Sequence, residues 1–360
     1  MTTTGPAPAA FGGPADPSDL PEEVLPVRDL GSRTRPGRRS WPAVVVSSAM
    51  TVLLLVTLNF LLPRAMPGDP VEALLSLGTS NPVEVDTRQR LEEYYGLDRS
   101  LPAQYRSYLG DLARGDLGLS IRHNVPVTEL LLARLPWTVL LVGSAMAVAA
   151  LVGLIAGIHS GWRRGSLADQ GLLAGFMAVS SIPPFFLGSV AVFLFAVKLD
   201  WFPLAGARTT FAASSGPLAQ VLDVAYHLVL PASVLALTFL LTLYLVMRST
   251  MVGELGSDYL LLGRAKGLLE RRLKYRYAAR NALLPVVTEL ALLLGVAVPI
   301  AIFVEEVFAY PGLGRLLAES AFARDYPTMQ GCFLLLSLLV VVLNLVADLV
   351  NARLDPRVRG

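Results

Sequence analysis

The chain is 360 residues long, 54% hydrophobic and only 16% charged, with a mean hydropathy of +0.56. That balance is too apolar for a soluble globular domain and fits a polytopic membrane protein whose main solvent is the bilayer. The formal net charge of +2 is close to neutral, so any electrostatic preference resides in where the charges sit, and no nucleic-acid partner is expected.

Composition also narrows the chemistry. The single cysteine, Cys332, permits neither an intrachain disulfide nor a cysteine metal cluster. His123, His159 and His227 stand apart from one another without ligand spacing. The three lysines, Lys198, Lys266 and Lys274, are never preceded by the glycine that a phosphate-cradling GxxxxGK[ST] loop requires. No GxSxG elbow is present either. The expectation is a chain with no catalytic site, no metal site and no bound cofactor.

In chain order, residues 1–42 are rich in Pro, Gly and Ala, with Arg33, Arg35, Arg38 and Arg39 just before the first apolar run. Such a segment buries too little apolar surface to offset its ordering entropy, and a disordered leader is predicted there. Six stretches are long and apolar enough to cross a hydrocarbon core of about 20 helical residues. They are 43–62, 137–158, 170–197, 227–247, 284–304 and 329–350. The intervening residues 63–136 form a long, arginine-containing segment, predicted as a small extracytoplasmic subdomain because long loops translocate largely regardless of charge.

Six crossings place both termini on one side, and lysine and arginine in the shorter loops say which. The 248–283 loop carries Arg248, Arg264, Lys266, Arg271, Arg272, Lys274, Arg276 and Arg280, and the second-to-third helix loop carries Arg163 and Arg164. The 305–327 loop has Glu305, Glu306, Glu319 and Asp325 against Arg315 and Arg324. The basic loops, the leader and the 351–360 tail are therefore expected in the cytoplasm, and the acidic loop outside.

Prolines interrupt three crossings: Pro183 and Pro184, Pro231, and Pro299. A broken helix frees backbone carbonyls that must face protein or a water-filled path. Each break reads either as a packing kink or as a helix lining a conduit. Ser180 and Ser181 beside Pro183 and Pro184 are the better candidates for the second reading. Glu289, one turn past Pro285, is an ionisable residue in a membrane helix and hence a candidate functional group. It either faces a conduit or pairs with Arg280 near the cytoplasmic interface, and the pair is the preferred reading, because a short reach to water relieves desolvation. Asn344 and Asp348 read as interhelical hydrogen-bonding groups.

The stretch RAKGLLERRLKYRYAARNALLP, starting at Arg264, is the most charged in the chain. Gly267 lies between two plausible short helices and suggests a turn where they meet, since glycine costs about 1 kcal/mol inside a helix. The basic residues fit either a docking rod or a solvated surface that only satisfies topology.

This stretch closely resembles the EAA-type coupling loop of permease subunits in the peptide and nickel branch of binding-protein-dependent ABC importers. The pattern is matched by Asp258, Tyr259, Arg264, Ala265, Lys266, Gly267 and Leu268, and again by Arg280 to Pro285. Further blocks fall in the family order: PGDP from Pro67, GLDRSLPAQYRSYLGDLARGDLGLS from Gly96, RRGSLAD from Arg163, SIPPFFLG from Ser181, YPGLGRLL from Tyr310, ARDYPTMQG from Ala323 and LDPRVR from Leu354. The resemblance covers roughly residues 43–359. Departures are Leu262 and Gly263, where the family has small residues and ARAKG, Tyr277 for a usual histidine, and Glu289 at an ordinarily apolar position.

The resemblance implies a fold and a division of labour. The fold is all-α and polytopic, with six transmembrane helices of the type I ABC importer permease, a small extracytoplasmic subdomain at 63–136 and a five-helix core at 137–350. The chain would form half of a translocation path for peptides in a bacterial plasma membrane. Its partners would be a second homologous permease, two ATPase subunits that bind ATP and Mg, an extracytoplasmic substrate-binding protein and the surrounding lipid. Asp258, Tyr259, Arg264, Ala265, Lys266, Gly267, Leu268, Leu269, Arg271 and Arg272 would engage an ATPase, with Leu268 and Leu269 giving apolar contact. Ser180, Ser181, Pro183, Pro184, Glu289 and Pro299 are candidates for the path. Tyr310, Pro311, Gly312, Leu313 and Gly314 are candidates for docking the binding protein. A nickel or other small-solute importer is the alternative. A membrane-embedded lipid hydrolase would need a nucleophile or metal cluster that the three scattered histidines do not supply, and a non-transporting receptor would have to be told apart by ATPase coupling.

Overall fold

A computed structural model describes residues 41–65, 89–90, 93, 98–209 and 216–354. The leader up to residue 40, most of the 66–97 stretch and the tail past residue 354 lie outside the described residues. Among those described, every regular element is helical, apart from an isolated bridge between Leu119 and Pro126. The elements are α1 (Trp41–Ala65), α2 (Leu101–Ala113), α3 (Val127–Trp162), α4 (Leu167–Ser180), α5 (Pro184–Lys198), α6 (Pro217–Glu254), α7 (Asp258–Ala265), α8 (Glu270–Val307), α9 (Leu313–Ala323) and α10 (Tyr326–Leu354). The described residues divide between Leu53 and Leu54 into two units.

Helices α3, α6, α8 and α10 are each long and apolar enough to cross a membrane, and α4 with α5 makes a fifth candidate if the bent pair is one span. With α1 they fall on the six predicted stretches, and the all-helical polytopic class holds. Their lengths differ from prediction. The 36-residue α3 starts ten positions before Trp137, and the 38-residue α6 starts ten before His227, because apolar content marks only the part of a helix that lipid requires. The predicted subdomain at 63–136 therefore ends inside α3.

The third predicted crossing is not a straight helix. α4 and α5 meet at 98°. Pro183 has φ −58° and ψ 142° and stands as the cap of α5. A proline lacks the N–H to continue α4, and it drives its predecessor out of helical geometry, so two in succession stop one helix and start another.

The core is centred on α3 and α6. Gly153, Gly157 and Gly161 recur every fourth residue on α3 and face Leu243, Tyr244, Met247 and Met251 of α6. A Cβ built on Gly157 would lie 2.7 Å from Met247 Cβ, and one on Gly161 would lie 2.9 Å from the Arg248 carbonyl oxygen. These glycines let two backbones approach where lipid gives no hydrophobic drive for helices to associate. Leu243, Tyr244 and Met247 are fully buried as a result. α8 lies across this pair and contributes Ala282, Val286, Ala297, Val298, Ala301 and Val304 to the same core.

Candidate functional site

At the arginine-rich end, α6 leads through a short turn into α7. The Tyr259 hydroxyl donates to the Glu254 carboxylate. Burial first, and that bond second, hold the phenol above its usual pKa, so it stays a donor. Leu260 is buried. Gly263, noted above as a departure from the family pattern, has a structural reason: a Cβ there would sit 2.5 Å from Leu273 Cδ2, so its absence lets α7 lie against the start of α8.

The turn after α7 is a complete helix stop. The Leu268 N–H donates to the Gly263 carbonyl at 3.1 Å, and the Gly267 N–H donates to the Arg264 carbonyl at 2.9 Å. Gly267 has φ +73°, the left-handed conformation that this paired-bond ending requires and that glycine adopts without strain. The bend expected at Gly267 is therefore a Schellman turn. It hands the chain directly to α8, whose first turns include a π-wound stretch, Leu273–Ala278.

The ten residues expected to engage a partner do not all face outward. Leu269 is 77% exposed, and Lys266, Arg271 and Arg272 are exposed beside it. Leu269, Arg271, Arg272, Tyr275 and Arg276 border a shallow cleft. Leu268, expected to give apolar contact, instead packs against the core, because the N–H it donates to Gly263 turns it toward α7. Leu261 and Leu262, 55% and 56% exposed, take its place on the outer face. Arg264 pairs with Glu270 at 3.1 Å across the turn.

A buried ion pair ties together the helices at this end of the bundle. Asp169, in the RRGSLAD block, is buried and held by Arg248 through Nε at 2.6 Å and Nη2 at 2.7 Å. The Ser160 hydroxyl and the Gly165 N–H also donate to it, and Ser160 meets the Tyr244 hydroxyl at 2.6 Å. A bidentate guanidinium–carboxylate pair with its remaining lone pairs satisfied is the strong form of this contact. It joins the end of α3, the start of α4 and the last turns of α6. The His159 ring adds a 3.0 Å bond to the Tyr275 hydroxyl of α8.

The path candidates are not brought into one cluster. Ser180 and Ser181 are exposed beside the α4–α5 break, and both hydroxyls donate to the Met177 carbonyl, at 3.0 and 2.8 Å. Pro183 and Pro299 are exposed, and Pro184 is half-buried. Glu289 is half-buried on α8, and the pair with Arg280 does not form among the described residues. Nine residues are about two and a half helical turns, so the two side chains leave opposite faces. Asn344 lies against Gly295, where a Cβ would be 2.4 Å from its Oδ1. The Asp348 side chain lies outside the described residues.

The opposite end is built on two buried carboxylates. Glu305, at the end of α8, accepts from Thr138 Oγ1 at 2.6 Å, from the Gly314 N–H at 2.7 Å and from the Arg315 N–H at 3.1 Å. Thr138 Oγ1 in turn accepts the Leu313 N–H at 2.8 Å. The carboxylate thus seats the N-terminus of α9, where backbone donors have no helical partner. Asp325 caps α10 in the same manner, accepting from Thr328 Oγ1 at 2.8 Å, from Ser120 Oγ at 2.5 Å and from the Ile121 N–H at 3.1 Å. The GDLGLS and ARDYPTMQG blocks are thereby two halves of one joint.

Tyr310, Pro311, Gly312, Leu313 and Gly314, expected to dock the binding protein, lie in this turn. Tyr310, Gly312, Leu313 and Gly314 are buried and Pro311 is half-buried, because the turn closes around Glu305. A Cβ on Gly312 would lie 2.1 Å from that carboxylate. Burial, and after it the Glu305 charge, raise the Tyr310 phenol. In this subunit these residues build the end of the bundle, with Pro311 the most open of them.

The α2 helix rests on the end of α1. Thr57 Oγ1 meets the Tyr105 hydroxyl at 2.7 Å, and the Asn59 amide donates to the Tyr108 hydroxyl at 3.2 Å and to the Gln330 carbonyl at 2.9 Å. The part of the predicted extracytoplasmic subdomain that is described is thus packed onto α1 and α10.

A glycine-welded helical bundle with several membrane-length spans and a bent, basic, outward-facing element at one end defines an integral membrane component of the kind that works with partners. Residues 149–360 match the family described as the binding-protein-dependent transport system inner membrane component, and the chain belongs to that family. The oligopeptide transport system permease protein AppB of Bacillus subtilis is 36% identical over 312 residues, 86% of this chain and 96% of that one. The di/tripeptide transport system permease protein DppB of Pseudomonas aeruginosa is 36% identical over 316 residues, 84% of this chain and 93% of that one. A putative peptide transport system permease protein of Brucella abortus is 37% identical over 315 residues, 87% and 97% of the two chains. The chain is a transporter subunit, and the importer-permease resemblance read from its motifs holds.

Proposed function

We propose that this chain is one permease half of an ATP-driven peptide importer in a bacterial inner membrane, with the arginine-rich end and both termini in the cytoplasm. A second permease would complete the path, two ATPase subunits would bind ATP and Mg, and an external binding protein would deliver the peptide. Relatives named for oligopeptide and di/tripeptide transport support the cargo class.

The observation that carries the mechanism is the continuity of α7, the Gly267 turn and α8. An ATPase can move membrane helices only through an element that is rigid at both ends. α7 is pinned by Tyr259, Leu260 and Gly263, and its outer face offers Leu261, Leu262 and Leu269 with Lys266, Arg271 and Arg272 around them. Apolar anchors with mainly basic neighbours, Glu270 being paired with Arg264, suit a groove with an acidic rim. Motion of that groove passes through the turn into α8, the helix lying across the core, and opens the bundle alternately to the two sides.

The test is reconstitution of the complete importer in proteoliposomes, with ATP inside and loaded binding protein outside. Peptide uptake is the expected result, together with ATP hydrolysis stimulated by the loaded binding protein. In the Leu269→Asp/Arg271→Glu variant both are lost while the permease still accumulates in the membrane. Uptake of a nickel chelate and not of peptide would overturn the cargo, and undiminished stimulation in the variant would overturn the coupling role.

A further inference from the structure

One face of α8 is left open by the packing of the chain. Pro285, Leu292, Val296, Pro299 and Phe303 are exposed and Glu289 is half-buried, at spacings of four, three, four, three and four residues, which is a single helical stripe. The opposite face holds Ala282, Val286, Ala297, Ala301 and Val304 in the core.

This stripe is not an ordinary lipid-facing surface. Pro285 and Pro299 have no N–H to give to the carbonyls of Asn281 and Gly295, so two acceptors on the same face lack their helical donor. Glu289 lies between the two prolines, and no ion pair or side-chain hydrogen bond joins it to a group of this chain among the described residues. Toward the arginine-rich end the same face carries Pro285 and Asn281, and Arg280 leaves the other side. A carboxylate and freed carbonyls against hydrocarbon are costly, and such groups face protein or water. All three are acceptors, and what a row of acceptors recognises is a cation that can donate.

We propose that Glu289 is the cation-recognising residue of the translocation path, taking a lysine ammonium or the like on a peptide as it crosses. This rests on the peptide-importer reading above. The carboxylate pairs with the ammonium during passage and is left again as the cargo moves on, so the contact favours basic peptides without retaining them.

The experiment uses the complete importer with its own binding protein at saturation, and two peptides that differ only in one lysine or its Nε-acetyl form. Uptake of each is measured in the wild type, in Glu289→Gln and in Glu289→Asp. The lysine-to-acetyl-lysine uptake ratio should fall by about five- to tenfold in Glu289→Gln, the scale of one lost charge pair, and should be largely retained in Glu289→Asp. An unchanged ratio in Glu289→Gln overturns the proposal. Failure of both variants to assemble with the second permease overturns it too, since the carboxylate would then be an interface group. If the wild type carries neither peptide, the peptide reading falls and this inference falls with it, a result distinct from an unchanged ratio.

Discussion

The two ends of the bundle use the same sequence currency for opposite purposes. At the arginine-rich end several motif residues around Gly267 are turned outward on a pinned helix, and the buried Asp169–Arg248 pair ties α3, α4 and α6 together. At the acidic end the motif residues from Tyr310 to Gly314 are turned inward around Glu305, and Asp325 stitches two distant blocks together. The motif residues therefore form an exposed turn in one place and a buried joint in the other. Burial decides which, and a carboxylate's partner decides how: Asp169 has a guanidinium, whereas Glu305 and Asp325 are satisfied by hydroxyls and backbone N–H groups.

The comparison can be broken most forcefully at Asp169. Asp169→Ala leaves Arg248 facing a vacated buried site, and removing one partner of a buried pair costs about 3–5 kcal/mol. Lowered thermal unfolding in detergent and poor membrane accumulation are expected, and Asp169→Ala with Arg248→Met should recover part of the loss. Wild-type melting of the single variant would show that the pair is not a support.

At the other end, Glu305→Ala strands the Thr138 hydroxyl and the Gly314 and Arg315 N–H groups, at about 1–3 kcal/mol for a buried group left unsatisfied. The melting temperature should fall by less than in Asp169→Ala, and Glu305→Gln should fall less still, because the amide oxygen still accepts. Equal losses in the two alanine variants would erase the distinction drawn between the ends.

Gly267→Ala should cost about 1 kcal/mol, the ordinary penalty for a side chain at positive φ, and Gly267→Pro, whose ring cannot reach φ +73°, should abolish ATP-driven uptake while the protein still inserts. Normal uptake by the proline variant would remove the turn from the coupling route. The smallest stability effect is expected at Leu269→Ala, within about 0.5 kcal/mol for an exposed position, paired with a clear loss of ATPase stimulation. A stability loss there, or stimulation left intact, would place Leu269 among the structural residues instead.

Much of this was legible in the sequence, and the limits have physical causes. Hydropathy located the crossings because lipid imposes a length, but it could not see that α3 and α6 continue beyond it, since helical hydrogen bonding does not stop where lipid does. Pro183 and Pro184 announced a break but not its 98° angle, which packing against α6 and α8 sets. Gly267 was readable because glycine is the residue that takes this turn's positive φ without strain. Leu268 and Leu269 were not separable, being adjacent leucines whose directions depend on a bond to Gly263. The burial of Tyr310 to Gly314 was not legible, because glycines and a tyrosine look alike in a loop and in a buried turn, and Glu305 was counted as loop charge. The glycines at 153, 157 and 161 carried an available signal, small residues every fourth position in an apolar run, that went unread.

Those glycines also limit how the protein can move. On the α3 side the seam has no side chain to rearrange, and a Cβ clearance below 3 Å at two of its three positions leaves little room to slide. α3 and α6 must therefore travel as one strut. Bending of the bundle can be taken up wherever a proline has removed a helical hydrogen bond: at the α4–α5 elbow, at Pro285 and Pro299 of α8, and, away from the glycine seam, at Pro136 of α3 and Pro231 of α6.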